Sequence, residues 1–160
     1  MARNTATKKR TTPAASSGEE EIRALVDAWS KALEAKDIDA LTAGYAPDAV
    51  LFDVKPPYRV RGVGAIRRVW EEYLPCLPAK FTSERRDFAV TAGGDAAFVH
   101  CLHHIRPIGE ESRGPDTWIR VTVCYHRIGG TWRVVHEHVS LPFDPRSGQV
   151  SFITDPDSEA

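Results

Sequence analysis

The chemistry that this sequence allows centres on three ionisable residues, Asp53, Glu137 and His103. Asp53 ends a stretch of alternating, mostly apolar residues that predicts a strand covered on both faces. Burial of a carboxylate raises its pKa, so that it accepts protons near neutral pH. Asp53 is therefore a candidate general base, and Glu137 and His103 are candidates for its acid or polar partner. On the residue pattern alone, the preferred interpretation is a carboxylate at the exposed end of the strand, paired with Arg59 or Arg61.

Strand periodicity predicts the direction of the other two groups. In residues 131–141, Glu137 shares a row with valines and a leucine, which predicts a carboxylate inside an apolar row that faces the helices. In residues 96–106, His103 belongs to the more apolar of two mixed rows and is predicted to point inward. A single bulge would invert that second assignment.

Aromatic residues at helical spacing accompany these ionisable groups. Trp29 lies on a predicted first helix, and Trp70 and Tyr73 lie on a predicted third helix. Such residues usually belong to a core, but aromatic side chains around a carboxylate are also typical of an apolar small-molecule pocket. The sequence predicts that these three residues line a site for an apolar ligand.

The opposite rows of the last strands are too apolar for a solvated face and too polar for a core. Aromatic residues with arginine and few acids are typical of a protein interface, which predicts a homodimer paired about a two-fold axis. The residues assigned to this interface are Trp118, Arg120, Trp132, His136 and His138.

The segment His136-Glu137-His138 also suits a metal site, because alternate residues of a strand share a face. A metal site needs three or four ligands, and the other histidines have no fixed spacing to this pair. Hydrogen bonding at an interface is the preferred interpretation, and no metal is predicted. No dinucleotide fingerprint, phosphate-binding loop or nucleophile elbow is present either, so no cofactor is predicted.

Composition narrows the class of protein. The chain has 160 residues, is 42% apolar and 27% charged, and carries a formal net charge of -1. One globular domain fits this length, and the charge gives no reason to expect a nucleic acid or a membrane as partner. No apolar run reaches the roughly 18 residues that cross a bilayer. Cys76, Cys101 and Cys124 are widely spaced, which predicts reduced thiols in a soluble, cytoplasmic protein.

The elements that must position the site follow the order α-α-β-α-β-β-β-β. This order predicts an α+β fold, in which three N-terminal helices pack on the concave face of a curved antiparallel sheet. Residues 18–145 are assigned to this domain. Residues 1–17 are predicted to be a disordered basic tail, and residues 146–160 an irregular acidic one.

Several stretches resemble the SnoaL-like branch of the nuclear transport factor 2-like superfamily, which includes the ketosteroid isomerases. They are LEAKDIDAL at 33–41, YAPDAV at 45–50, GGTWRVVH at 129–136 and HVS at 138–140. The resemblance covers roughly residues 19–145 and implies a cone-shaped, usually dimeric α+β fold with a pocket between the helices and the concave sheet.

The resemblance also implies roles for single residues. Counted from Tyr45, Asp53 falls where the ketosteroid isomerases keep their aspartate base, whereas the position of their oxyanion tyrosine holds Trp29. The superfamily also includes the association domain of calmodulin-dependent kinase, whose pocket is lined with arginines. The position of one of those arginines falls near His103 in this sequence. Two functions follow as hypotheses, an isomerase- or cyclase-type enzyme with a carboxylate base and a non-catalytic dimeric binding or scaffold module.

Overall fold

The computed structural model describes residues 17–109 and 114–157. The helices and strands follow one another in the order that the sequence predicts, with one additional short strand. In chain order they are α1 (Ser17–Glu34), α2 (Ile38–Ala43), β1 (Tyr45–Phe52), β2 (Val60–Arg61), α3 (Val63–Tyr73), β3 (Phe81–Gly93), β4 (Ala96–Pro107), β5 (Ile119–Ile128) and β6 (Thr131–Ser140). A single 3-10 turn, Leu74–Cys76, follows α3.

The strands form one curved sheet in the order β2-β1-β6-β5-β4-β3. Four of the five pairings are antiparallel, as predicted, but β1 runs parallel to β6, so the sheet is mixed. A parallel pairing needs a long crossover connection, and here α3 and four strands lie between the two partners. The additional strand, β2, lies between β1 and α3 and pairs with the end of β1.

Apolar stripes fix the helices against the concave face of the sheet. On α1, Ile22 and Leu33 are fully buried and Val26 is nearly so, whereas Leu25 is 39% exposed. Ile66 of α3 is also fully buried. On α2, the Asp37 side chain accepts a hydrogen bond from the Ala40 N–H, as expected of a helix cap.

A bulge in β6 changes which side chains face the helices. Tyr125 pairs with Val134, but the preceding Cys124 pairs with His136, so Val135 is an extra residue. An extra residue inverts the alternation beyond it. The side chains of Trp132, Val134, His136 and His138, which strict alternation would place together on the outer face, therefore lie on two different faces. Trp132 and Val134 are buried in the core, whereas His138 is exposed.

Two other local features shape the strands. In β3 the register shifts between Arg86 and Ala89, and Asp87 has a φ of 50°. Gly94 and Gly129, which both have positive φ angles, lie in the hairpin turns between β3 and β4 and between β5 and β6.

The two predicted tails are described only in part. Residues 1–16 lie outside the described residues, and α1 begins at Ser17. In the described part of the C-terminal segment, to residue 157, isolated bridges join Trp118 to Ile153 and Phe143 to Val150. No helix in the described ranges is long and apolar enough to cross a membrane.

Candidate functional site

An apolar cavity of about 120 Å³ lies between the helices and the concave face of the sheet. We call it the central cavity. Side chains from α1, β1 and the segment after it, α3, β4, β5 and β6 enclose it. Its lining consists of Trp29, Leu33, Leu51, Asp53, Val54, Lys55, Val69, Trp70, Tyr73, His103, Ile105, Ile119, Val121, Glu137 and Val139. The cavity therefore brings together all three predicted ionisable residues and all three predicted ligand-binding aromatics.

Glu137 is the buried acid of this cavity, with only 6% of its surface exposed. Strand β6 holds it between Leu51 of β1 and Val123 of β5. The Tyr45 hydroxyl donates a hydrogen bond to its Oε2 atom. Burial raises the pKa of the Glu137 carboxyl to about 7, the Tyr45 hydrogen bond opposes that rise, and the charge of Asp53 adds to it. The carboxyl therefore exchanges a proton near neutral pH.

Asp53 lies at the rim of the cavity, directly after the last residue of β1. It is half-buried, and its Oδ1 atom accepts a hydrogen bond from the Val54 N–H at 2.7 Å. Among the described residues, no ion pair joins Asp53 to Arg59 or Arg61. Burial raises the pKa of Tyr73, and the negative charge of Asp53 raises it further. The site thus contains one accessible and one buried carboxyl group.

His103 points inward, as strand periodicity predicts, but its surroundings do not suit a proton donor. Its Nε2 atom lies 2.8 Å from the Ser83 Oγ, which in turn donates to the Ser30 Oγ. Burial, together with the smaller effects of the nearby charges of Arg85 and His104, lowers the pKa of His103 to about 4. The imidazole is therefore neutral at pH 7 and contributes a polar surface to the cavity wall.

Three aromatic rings form the helical side of the cavity. Trp29 contacts Trp70 edge-on, with ring centroids 5.7 Å apart, and contacts His103 in the same way at 6.0 Å. Trp70 packs in turn against Tyr73 at 5.9 Å. The Trp70 indole N–H is buried and makes no hydrogen bond of normal geometry within the described chain.

The predicted interface residues do not share one surface. Arg120 and His138 are exposed on the outer face of the sheet, and the His136 Nδ1–H there donates to the Val50 carbonyl at 2.9 Å. Trp132 is buried in the core because of the β6 bulge. Trp118 precedes β5, stacks on His104 and is 6% exposed, so it is also covered within its own chain.

No group of three or more potential metal ligands occurs in the residues that the structure describes. The hydrogen-bond partner of Glu137, Tyr45, was not among the predicted site residues. Its apolar neighbours suggest the inner side of α2, but Tyr45 begins β1. A buried tyrosine usually has a hydrogen-bond partner, and this rule is the signal that could have identified it.

The family of the chain follows from comparison with known proteins. Residues 22–144 match the model of the SnoaL-like domain, and the chain belongs to this family. A solved NTF2-like protein of unknown function from Pseudomonas putida KT2440 is 35% identical, with a TM-score of 0.79 over 87% of this chain and 96% of that chain. No curated protein matches.

Two further structures are similar in fold at lower identity. A candidate dehydratase of the NTF2-like family from Streptomyces avermitilis is 19% identical, with a TM-score of 0.66 over 79% of this chain and 97% of that chain. A candidate ketosteroid isomerase from Parabacteroides distasonis is 18% identical, with a TM-score of 0.61 over 76% and 86% of the two chains. At these identities the similarity establishes the fold alone.

Proposed function

We propose that the protein catalyses proton transfer on an apolar carbonyl compound, as an isomerase or a cyclase does. The observation that carries this proposal is Glu137, a buried carboxyl with a pKa of about 7 that faces the same apolar cavity as Asp53. Two carboxyl groups whose environments differ this much suit an acid and a base, respectively. A scaffold that needs no ligand would be expected to fill such a cavity with side chains.

The proposed reaction uses each carboxyl once. The carbonyl oxygen of the substrate accepts a hydrogen bond from protonated Glu137, while the Asp53 carboxylate removes a proton from the adjacent carbon. The electron pair of the broken C–H bond forms a new C=C bond, and the π pair of the carbonyl moves onto its oxygen. The resulting enolate oxygen is stabilised by the hydrogen bond from Glu137. The proton then returns from Asp53 to the same or another carbon. The apolar walls strengthen both interactions by excluding water.

Replacement of Asp53 by asparagine should abolish this proton transfer while leaving the fold intact. Exchange of the α-protons of 5-nonanone with D2O, followed by proton NMR, measures the step directly. We expect the wild-type protein to accelerate exchange over buffer, and Asp53→Asn to lower the rate by about 100-fold or more, because an amide is not a base. Asp48→Asn, an exposed carboxylate of the same strand, should exchange at the wild-type rate.

Wild-type exchange no faster than buffer would leave a non-catalytic binding module as the function. Equal rates for Asp53→Asn and the wild type would assign the base to another residue. Circular dichroism of each variant establishes that the fold is retained.

We also propose that two copies pair through the outer face of the sheet. Phe52 and Phe98 are 38% and 43% exposed there. Beside them are Arg120 and His138, and this mixture of aromatic and basic side chains suits an interface. The face differs from the predicted one because the β6 bulge places Trp132 in the core.

Light scattering should therefore give twice the 17.7 kDa mass of the chain. Phe98→Glu should shift the protein towards the monomer, since a two-fold axis would bury two new carboxylates. Tyr58→Glu changes an aromatic residue that is 82% exposed in the loop after β1, and should remain a dimer. A monomeric wild-type protein would contradict the pairing.

A further inference from the structure

A second cavity adjoins the central one at Glu137. We propose that this second space, here called the distal cavity, receives an apolar arm of the substrate. The reacting carbonyl would then lie in the interior of an extended molecule, with apolar groups on both sides. This inference rests on the proposed proton transfer and adds the class of substrate.

The first support is the position of the distal cavity. Its volume is about 60 Å³, and Trp29, Val121 and Glu137 line both cavities. Asp53 borders only the central cavity, whereas Tyr45 borders only the distal one. The Tyr45 hydroxyl donates its hydrogen bond to Glu137 from the side of the distal cavity. The Glu137 carboxyl therefore lies between the two cavities and not at the end of either.

The second support is the chemistry of the distal lining. Val99, Cys101, Val123 and Tyr125 contribute surface that is mostly apolar. Burial raises the pKa of the Cys101 thiol to about 11, so the thiol is neutral and behaves as a small apolar group. A hydrocarbon arm would match this surface.

The charged member of the distal lining, Arg85, is already paired. Its guanidinium donates to Asp27 at 2.6 Å, to the Ser30 hydroxyl and to the Val26 carbonyl at 3.3 Å. An anionic group of a ligand would have to compete with the Asp27 carboxylate. This arrangement favours an uncharged arm over an acidic one.

The opposite end of the central cavity continues into an open groove. The groove encloses about 660 Å³, and Val54, Tyr73, His103, Ile105 and Ile119 border both spaces. A substrate with its carbonyl at Glu137 can therefore extend in two directions. The groove receives the longer or bulkier part, and the distal cavity limits the length of the shorter arm.

Two isomeric ketones test this inference, because they have the same composition and differ in the position of the carbonyl. In 5-nonanone a butyl group stands on each side, so one arm must enter the distal cavity. In 2-nonanone the shorter side is a methyl group, and the long arm can lie in the groove. Binding of each ketone is measured by isothermal titration calorimetry.

Cys101→Leu fills the distal cavity. We expect this variant to bind 5-nonanone about tenfold more weakly than the wild type does, as two displaced methylenes would predict. Its affinity for 2-nonanone should change by less than about twofold. Cys124→Leu is the matched control, since it makes the same change at a β5 position that borders neither cavity nor the groove, and it should bind both ketones as the wild type does. Val123→Leu is a second filling variant in case Cys101→Leu does not fold.

Equal losses for the two ketones, or no loss for either with both filling variants, would overturn the inference. So would a wild-type protein that binds neither ketone. Failure of the proposed function gives a different result, because the exchange rate of 5-nonanone would then equal that in buffer even though the binding pattern is retained.

Discussion

Replacement of Glu137 by glutamine is expected to remove most of the pH dependence that this buried acid gives to stability. The pKa of Glu137 is raised from 4.5 to about 7, so the folded protein holds this proton more tightly than the unfolded chain does. The stabilisation is complete below about pH 4.5 and is lost as the pH rises through 7. The loss amounts to about 3 kcal/mol, because each pKa unit is worth about 1.4 kcal/mol.

The free energy of unfolding of the wild type and of Glu137→Gln, measured in urea from pH 5 to pH 8, checks this expectation. The free energy of unfolding of the variant should rise relative to that of the wild type as the pH rises, because glutamine does not ionise. The difference in free energy of unfolding between the two proteins cancels the contribution of His103, which both contain. The pKa of His103 is lowered, so its contribution is present above about pH 6.5 and is lost as the pH falls towards 4. Glu20→Gln, at an exposed position on α1, should give a constant difference. Parallel curves for Glu137→Gln would show that the carboxyl is not buried.

The second large effect is expected at Trp132. Replacement by glutamate should unfold the protein, because Trp132 is 5% exposed and packs in the core with Tyr45, Tyr125 and Val134. The change leaves a cavity and buries an unpaired charge, and together these cost about 5 kcal/mol or more. The change also removes the contact of the indole ring with the Arg127 guanidinium, at 4.4 Å.

Circular dichroism and thermal unfolding measure this effect. Thr131→Glu, at the exposed neighbouring position, should change stability by less than about 0.5 kcal/mol. A Trp132→Glu protein that is folded but monomeric would instead place the indole at an interface between subunits. The two variants therefore test the β6 bulge as well as the core.

Trp132 also shows where sequence reasoning about this fold reaches its limit. Alternation identified the inward rows of β4 and β5, because both are continuous over the site. The bulge at Val135 has no comparable signature, since a valine suits either face of a strand. One unrecognised extra residue was sufficient to place a core tryptophan on the wrong side of the sheet.

The sequence predicted which ionisable residues line the site better than it predicted their hydrogen bonds and protonation states. Apolar neighbours indicated that Asp53, Glu137 and His103 would face a common interior, and all three line the central cavity. The hydrogen bond from Tyr45 to Glu137 was not predictable, because it joins residues 92 positions apart in sequence through the parallel pairing of β1 with β6. The neutral state of His103 likewise depends on how deeply the folded chain buries it.

The parallel pairing of β1 with β6 also bears on how the protein is made. Strand β6, which carries Glu137, is the last strand of the sheet in chain order, and its partner β1 is the first. During synthesis β1 must wait for nearly the whole domain to leave the ribosome before it gains this neighbour. Contacts so distant in sequence slow folding, because a large loop has to close before they form. The cavity and its acid therefore arise together at the end of folding, and no shorter nascent chain contains the site.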